Sequence, residues 1–208
     1  DALPPGADVK RIVIANVAGD PVARGIAAAL PAGAAPHWLV SSKEQCGVRS
    51  GYAEPGRLGA DRWAALIGAR HLYPGACVVV NAGTTMTVDA LSSESIFLGG
   101  IIVPGFELMR SALAANTAQL ALRPGAFHFF PDNTGDAIAS GALNALAGAV
   151  DRICRYVAET GEGDPVLVIS GGNASMLEPL LNGRAQLVDN LVLEGLVCIG
   201  ERCPSENK

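Results

Sequence analysis

The chain contains few charged residues and has no run of basic ones. Charged side chains make up 17% of the 208 residues, the formal net charge is -5, and the sequence pI is near 5.2. Proteins that bind nucleic acid or anionic membranes through charge carry basic patches. We therefore expect neither nucleic acid nor a membrane surface among the partners of this chain.

Cysteine pairs and long apolar runs are also missing. The five cysteines are odd in number and none is spaced as CxxC, which indicates a reducing cytosol and argues against structural zinc. No apolar stretch is long enough to span a bilayer, whereas the 50% hydrophobic content is ample for a packed core. These features predict a soluble, cytoplasmic protein. The cysteines are Cys46, Cys77, Cys154, Cys198 and Cys203.

Several well-known catalytic motifs do not occur. The sequence has no GxSxG elbow, HExxH helix, GxxxxGK[ST] loop or GxGxxG fingerprint, so serine hydrolases, zincins, P-loop NTPases and dinucleotide dehydrogenases lose their usual support. Its three histidines, His37, His71 and His128, are scattered without metal-ligand spacing. We interpret them as structural or solvent-facing.

The pattern of apolar residues predicts alternating strands and helices. Residues 76–80 form a continuous apolar, β-branched run that is typical of a buried central strand, and two further strand patterns follow without a helix between them. This order predicts a three-strand meander. The predicted strands are 11–17, 38–40, 76–80, 84–91, 96–103 and 165–170; the predicted helices are 21–30, 61–72, 104–113, 136–160, one from about 174, and 191–201; residues 41–58 are predicted to be a loop.

A meander followed by helices predicts an α/β fold that is not a plain Rossmann sheet. The order resembles the ribonuclease H-like half domain of actin-like kinases (the acetate and sugar kinase superfamily), in which two such halves flank a nucleotide cleft. Residues 1–75 would be what remains of the first half, including a substrate loop, and residues 76–208 the second half. The long helix at 136–160 carries an apolar stripe, which we expect to be buried against a partner.

Two segments carry candidate chemistry. Asp61 and Arg62 lie at a predicted helix start, where the carboxylate could take a proton from a substrate hydroxyl while the guanidinium holds an anionic group. The alternatives are an Asp61 that only caps the helix and an Arg62 in a surface ion pair. Residues 81–87 (NAGTTMT) place glycine and hydroxyl groups where phosphates could approach, although threonine is also common in strands. Together the segments suggest a phosphotransferase.

Six segments in order resemble the type III pantothenate kinases, a family that includes Bvg accessory factors. Single segments are weak signals, but the set is specific and covers most of the chain from Tyr52 onward. The segments are Tyr52-x-x-Pro55-x-x-Leu58-Gly59-x-Asp61-Arg62, residues 81–89, residues 99–105 (GGIIVPG), Thr117-Ala118-x-Leu120, Asn133-Thr134-x-x-Ala137-Ile138-x-Ser140-Gly141 and Ser170-Gly171-Gly172-Asn173-Ala174.

The resemblance implies ATP-dependent phosphorylation of pantothenate to 4'-phosphopantothenate, the first step of coenzyme A biosynthesis, with Mg²⁺ accompanying ATP. By position, Asp61 matches the general base and Thr84 an ATP-contacting residue. The pantothenate pocket corresponds to Tyr52, Gly59, Ala60, Asp61, Arg62 and Thr134. In the family, the threonine at 134 reaches the pocket from the other subunit of a homodimer. Without the resemblance, the residues also allow Thr134 to serve only as the cap of the helix that follows it.

The sequence departs from the family at two places. The family's opening phosphate-binding hairpin, a strand followed by an Asp-x-Gly-Asn-Thr-like turn, does not occur, so we expect upstream residues to supply it. Asn81 stands where many members carry an aspartate implicated in binding K⁺ or NH₄⁺. An amide can ligate a cation but brings no charge, so the sequence leaves cation dependence open.

Two other functions remain as alternatives at this stage. One is a noncatalytic regulatory or binding protein that retains the actin-like fold, and the other is a kinase for a different small hydroxy acid. The presence of Asp61, Arg62, Thr84 and Thr134 together favours an enzyme, because a binding protein has no need of a base beside an anion-binding group.

Overall fold

A mixed β-sheet forms the centre of the computed structural model, which describes residues 9–31, 33–117 and 124–202. The sheet has seven strands in the order β3-β4-β7-β6-β5-β8-β9, and β1 and β2 pair in parallel as a separate small sheet. The strands are β1 (Val13–Ile14), β2 (His37–Trp38), β3 (Glu44–Gln45), β4 (Val48–Ser50), β5 (Cys77–Ala82), β6 (Thr85–Leu91), β7 (Ile96–Pro104), β8 (Val166–Ser170) and β9 (Ala185–Leu187).

Helices cover both faces of the large sheet. The helices are α1 (Asp20–Ala29), α2 (Ala60–Leu72), α3 (Phe106–Asn116), α4 (Thr134–Val157), α5 (Ala174–Leu177) and α6 (Leu191–Arg202), with shorter helical turns at Pro55–Arg57, Ala158–Glu162 and Glu178–Leu181. On one face, α2 and α6 pack in one apolar core, and on the other α4 and α5 pack in a second core. Alternate residues of β5 point to the two cores, as strand geometry requires.

The predicted meander is confirmed. The strands β5, β6 and β7 are antiparallel neighbours, and β8 pairs in parallel with the other edge of β5. Because β5 has neighbours on both edges and helices on both faces, its side chains at 77–80 are fully buried. This environment explains the continuous apolar run in the sequence.

The loop predicted at residues 41–58 is partly wrong. The structure contains β3 and β4 there, and β4 pairs in parallel with the edge of β7. Both strands are very short and contain polar residues, so neither produces an alternating pattern that periodicity could detect. The division at residue 75 stays a prediction, and the structure shows that the segment from β3 to α2 packs on the sheet of the second half.

We expected the apolar stripe of the long helix to be buried against a partner, and this prediction was wrong. The helix begins at Thr134, earlier than predicted, and its stripe packs against the chain's own sheet. The buried members of the predicted stripe are Leu143, Leu146, Val150 and Val157. A separate apolar groove of about 660 Å³ lies between α3 and α4, and Thr134, Ile138 and Leu113 are among the residues that line it.

Two predictions on short segments fall partly outside the described residues. The structure does not describe Ala118 and Leu120 of the resemblance, nor Cys203. Of the described cysteines, Cys77, Cys154 and Cys198 are buried, whereas Cys46 is half-buried. Burial raises the pKa of the Cys154 thiol to about 11, so this thiol is neutral at physiological pH. Within the described ranges, no helix combines the length and apolarity needed to cross a bilayer.

The contact between α2 and α6 depends on a glycine. A Cβ added at Gly195 of α6 would lie 1.8 Å from the backbone oxygen of Ala64 in α2, which is closer than any real contact. By contrast, a Cβ at Gly148, in the interior of α4, would meet nothing within 4 Å. The two helices that hold one face of the sheet can therefore approach closely only without a side chain at position 195.

We expect Gly195→Ala to lower the free energy of unfolding by about 1–3 kcal/mol, because the added methyl group forces the helices apart. The matched control, Gly148→Ala, should raise it by up to about 1 kcal/mol through better helix propensity. Urea denaturation followed by circular dichroism measures both. Equal stability of the two variants would show that α2 and α6 can move apart without loss of free energy of unfolding.

Candidate active site

The start of α2 brings four of the predicted site residues together. Gly59 precedes the helix, Ala60 is its first residue and is buried, and Asp61 and Arg62 follow. The Oδ1 atom of Asp61 accepts a hydrogen bond from the Arg62 backbone N–H at 2.8 Å. A Cβ at Gly59 would lie 2.6 Å from this Oδ1, so a larger residue there would displace the carboxylate. Asp61 thus supports the helix start and is also partly exposed.

The Arg62 side chain is buried and paired with Asp89 of β6. Its Nε donates to Asp89 Oδ1 at 3.2 Å and to Oδ2 at 3.1 Å, and its Nη2 also donates to Oδ1. The Nη1 atom donates to the Tyr52 hydroxyl at 3.1 Å. The side chains of Arg62 and Asp89 are only 6% and 2% exposed. The alternative of a surface ion pair for Arg62 is therefore wrong.

Aromatic rings and a glycine complete the walls around this pair. The rings of Tyr52 and Phe97 lie 5.2 Å apart, and the Arg62 guanidinium carbon is 5.9 Å and 5.8 Å from their centroids. Such distances allow a cation–π attraction. On β7, a Cβ at Gly100 would lie 2.1 Å from Asp89 Oδ1 and 2.9 Å from Arg62 Nη2. Only glycine leaves room for the ion pair at this position.

Burial sets the electrostatics of the pair. Loss of water raises the pKa of the Asp89 carboxyl, the neighbouring charge of Asp61 adds to that shift, and hydrogen bonds from Arg62 and Thr87 oppose it. Burial alone would lower the pKa of Arg62, but Asp89 and Tyr52 outweigh it and the net shift is upward. Arg62 therefore keeps its charge, and Asp61 lies close enough to Asp89 for the two carboxylates to interact.

The structure places Thr84 away from this cluster. Thr84 is exposed in the turn between β5 and β6, and its backbone oxygen accepts a hydrogen bond from Gly105 N at 2.9 Å. Five residues separate Thr84 from Asp89, which corresponds to about 17 Å along an extended strand. Thr84 thus lies at the start of β6, whereas the Asp61 cluster contacts β6 near its end, at Asp89.

Three glycine-containing segments converge beside Thr84. The Asn173 side chain donates to Gly83 O at 3.2 Å, and its backbone N–H donates to Ala82 O at 2.9 Å. A Cβ at Gly105 would lie 2.2 Å from Gly83 O, and one at Gly171, whose φ is +103°, would lie 2.6 Å from Ala82 O. The sequence analysis singled out the glycines at 105 and 171, and close backbone packing explains both.

Thr134 is exposed at the first position of α4 and is not the cap of that helix. The N-cap is Asn133, whose side chain accepts a hydrogen bond from the Asp136 backbone N–H at 3.0 Å. The Asn133 amide also donates to Asp136 Oδ2 at 2.7 Å. Asn133 therefore caps the start of α4 through its side-chain oxygen, so the capping alternative for Thr134 is wrong.

Within one chain, Asp61 and Thr134 belong to opposite faces of the sheet. The helix α2 packs with one apolar core and α4 packs with the other. The structure therefore brings together Tyr52, Gly59, Ala60, Asp61 and Arg62, and it separates Thr84 and Thr134 from them.

Proteins of similar sequence identify the family of this chain. The family model described as type III pantothenate kinase matches residues 2–156. This chain belongs to the type III pantothenate kinase family. The type III pantothenate kinase of Aromatoleum aromaticum is 53% identical over 192 residues, which cover 92% of this chain and 78% of the relative. The one from Azoarcus sp. is 44% identical over 202 residues, covering 94% and 76% respectively.

A solved structure also resembles the chain. It is described as a Baf family transcriptional activator from Campylobacter jejuni, and it is 27% identical with a TM-score of 0.51. The match covers 70% of this chain and 64% of that chain, which is less than two thirds of its length. Family membership and the mixed sheet with helices on both faces confirm the predicted α/β, actin-like fold class.

Asp89 pairs with Arg62 in the structure but was not predicted to be a site residue. In the sequence, residue 89 stood out only as the end of a segment that resembles the type III pantothenate kinases. A signal was available, because an aspartate between Val88 and Ala90 in an apolar strand is costly unless it is paired. Pattern alone could not identify Arg62 as the partner, since 27 residues separate the two.

Asn81 occupies a place on the same face of the sheet as Asp89. Its register partners are Thr87 on β6 and Ser170 on β8, and a Cβ at Gly171 would lie 2.7 Å from its Oδ1. In the described part of the chain, no group of three or more His, Cys, Asp or Glu side chains is placed to hold a metal ion.

Proposed function

We propose that this chain phosphorylates pantothenate with ATP, yielding 4'-phosphopantothenate and ADP. Family membership identifies it as an enzyme of the pantothenate kinase class. The observation that carries the proposal is the half-exposed carboxylate of Asp61 beside a buried, fixed Arg62. A base next to an anion-binding group matches a substrate that carries both a primary hydroxyl and a carboxylate.

Asp61 is the proposed general base. Phosphoryl transfer depends mainly on positioning and charge, and an aspartate that accepts the proton of the attacking hydroxyl is a recurring part of it. The hydrogen bond from the Arg62 backbone to Oδ1 fixes the orientation of the carboxylate. Oδ2 is then the atom that takes the proton of the pantothenate hydroxyl.

Arg62, Tyr52, Gly59 and Ala60 are the proposed pantothenate pocket. Arg62 has five N–H groups, and its hydrogen bonds to Asp89 and Tyr52 within the described residues engage three of them. One N–H on each terminal nitrogen remains for the substrate carboxylate. Gly59 and Ala60 keep the approach to Asp61 free of bulky side chains.

The proposed ATP site lies at the turn that contains Thr84. Gly83, Gly105 and Gly171 bring three backbone segments together there, and any Cβ at Gly105 or Gly171 would collide with backbone oxygen. The exposed Thr84 on this turn carries a hydroxyl that can donate to a phosphate oxygen. Magnesium would be bound through the phosphates and water, which fits its reluctance to dehydrate.

We propose that the enzyme acts as a homodimer in which Thr134 completes the pocket of the other subunit. Two observations support this arrangement. Asn133, not Thr134, caps the start of α4. The helix that carries Thr134 also packs on the opposite face of the sheet from the helix that carries Asp61. The apolar groove between α3 and α4, which Thr134 borders, offers a surface for a second copy.

A coupled assay for ADP formation on the full-length protein tests the function. We expect ADP release with pantothenate and much less with a panel of other small hydroxy acids, because Arg62 and Asp61 select a carboxylate and a hydroxyl at one spacing. Another hydroxy acid as the better substrate would establish a different kinase. No ADP with any of them, from folded protein, would favour the noncatalytic regulatory alternative.

A further inference from the structure

Asp89 has no role in the chemistry described so far, although it is the carboxylate that pairs with Arg62. Its carboxylate accepts from Nε and Nη2 of the guanidinium, so the contact is bidentate. Bidentate pairs fix the plane of a guanidinium as well as its position. The side chain of Asp89 is 2% exposed and is not itself available to a ligand.

The surroundings of Asp89 are built for this pair. Gly100 on β7 leaves the space that a Cβ would take from both Asp89 Oδ1 and Arg62 Nη2. The Tyr52 hydroxyl holds Nη1 from the other side at 3.1 Å. The guanidinium is therefore fixed at three of its five N–H groups, and the direction of the other two is set.

We propose that Asp89 is a positioning residue for substrate recognition: it holds Arg62 so that the two remaining N–H groups receive the carboxylate of pantothenate. The proposal rests on the proposed function. Replacement of buried ion pairs by apolar residues is often neutral or stabilising, so stability alone does not explain why a strand carries this charge. Orientation of Arg62 does explain it.

The test compares two ligands that differ only at the carboxylate. Pantothenyl alcohol has a hydroxymethyl group where pantothenate has the carboxylate. Calorimetric titration of the full-length protein with each ligand isolates the contribution of Arg62. We expect Asp89→Asn to weaken pantothenate binding about ten- to a hundredfold, as loss of a well-aligned charge-assisted hydrogen bond does. The affinity for pantothenyl alcohol should change less than about twofold, because the alcohol has no carboxylate to bond with Arg62.

The control is Asp151→Asn, which removes the carboxylate of another Arg–Asp pair. Asp151 pairs with Arg184 on the surface, with both side chains about half exposed. Its loss should leave both affinities unchanged. If Asp89→Asn lowers the affinity for both ligands by the same factor, or changes neither affinity, Asp89 has only a structural role and the proposal is overturned.

A second variant covers the case in which Asp89→Asn does not fold. The double variant Arg62→Met with Asp89→Leu removes both buried charges and leaves none unpaired. It should bind pantothenate and pantothenyl alcohol with equal affinity. A folded double variant that still prefers pantothenate would overturn the proposal while the function stands. Wild-type protein that forms no ADP with pantothenate would overturn the function and this inference together.

Discussion

Asp61→Asn is expected to lower turnover by about two to four orders of magnitude, the usual contribution of a positioned general base. The asparagine Oδ1 can still accept the hydrogen bond from the Arg62 backbone N–H, so the start of α2 should be preserved. The substituted group cannot take the proton of the substrate hydroxyl. Steady-state ADP formation measures turnover, and thermal unfolding followed by circular dichroism verifies the fold.

The matched control is Asp20→Asn. Asp20 is also an aspartate in the first turn of a helix, α1, and it belongs to no proposed site. It should show wild-type turnover, because only its interaction with the helix dipole changes. Near-normal turnover of folded Asp61→Asn protein would leave Asp61 with the helix-start role alone and would move the general base to another group.

Elements with a strong local pattern could be predicted from the sequence, and α2 is the clearest case. The turn signal Tyr73-Pro74-Gly75 marks its end, so the predicted range 61–72 agrees with Ala60–Leu72. The central strand β5 was also predictable, because a strand buried on both faces carries a continuous apolar run. Local sequence determined these elements without help from distant residues.

Features that depend on distant partners could not be predicted in this way. The ion pair of Arg62 with Asp89 joins a helix to a strand 27 residues away, and only the folded sheet brings them together. The face of α4 that is buried was equally ambiguous, since an apolar stripe shows that a surface is covered but not what covers it. The strand β4, only three residues long, is stabilised by its pairing with β7 rather than by its own sequence.

The candidate site combines both kinds of information. The resemblance to the family indicated Asp61 and Arg62, and the structure adds that Arg62 is buried and bidentately paired. It also places Thr134 and Asp61 on helices that pack on opposite faces of the sheet. If both residues serve one reaction, the simplest arrangement is a second subunit that presents its own Thr134.

Subunit exchange between two inactive variants should restore part of the activity. One variant is Asp61→Asn, and the other is Thr134→Asp, which repels an anionic substrate while an acidic residue in the first turn of α4 favours the helix. A mixed dimer has one site with both defects and one site with both residues intact. At full exchange of an equal mixture, we expect about a quarter of wild-type turnover, because half of the dimers are mixed and each has one intact site.

Two controls separate this result from effects on folding. Thr134→Ser keeps the hydroxyl group and should remain active alone. Asn133→Ala removes the actual cap of α4, which costs about 1 kcal/mol of stability, and it should lower the unfolding temperature without abolishing activity. If both controls behave in this way, the loss in Thr134→Asp reflects the substrate site rather than the helix.

The arrangement of the two sites decides what the exchange can show. When Asp61 and Thr134 of the same chain serve one site, every site in a mixed dimer carries one defect and no activity returns. When they serve sites in different subunits, recovery follows directly from pairing an intact Asp61 with an intact Thr134 across the interface. Absence of recovery, with mixed dimers demonstrated by native mass spectrometry, would therefore place both residues in one subunit's site or remove Thr134 from substrate binding.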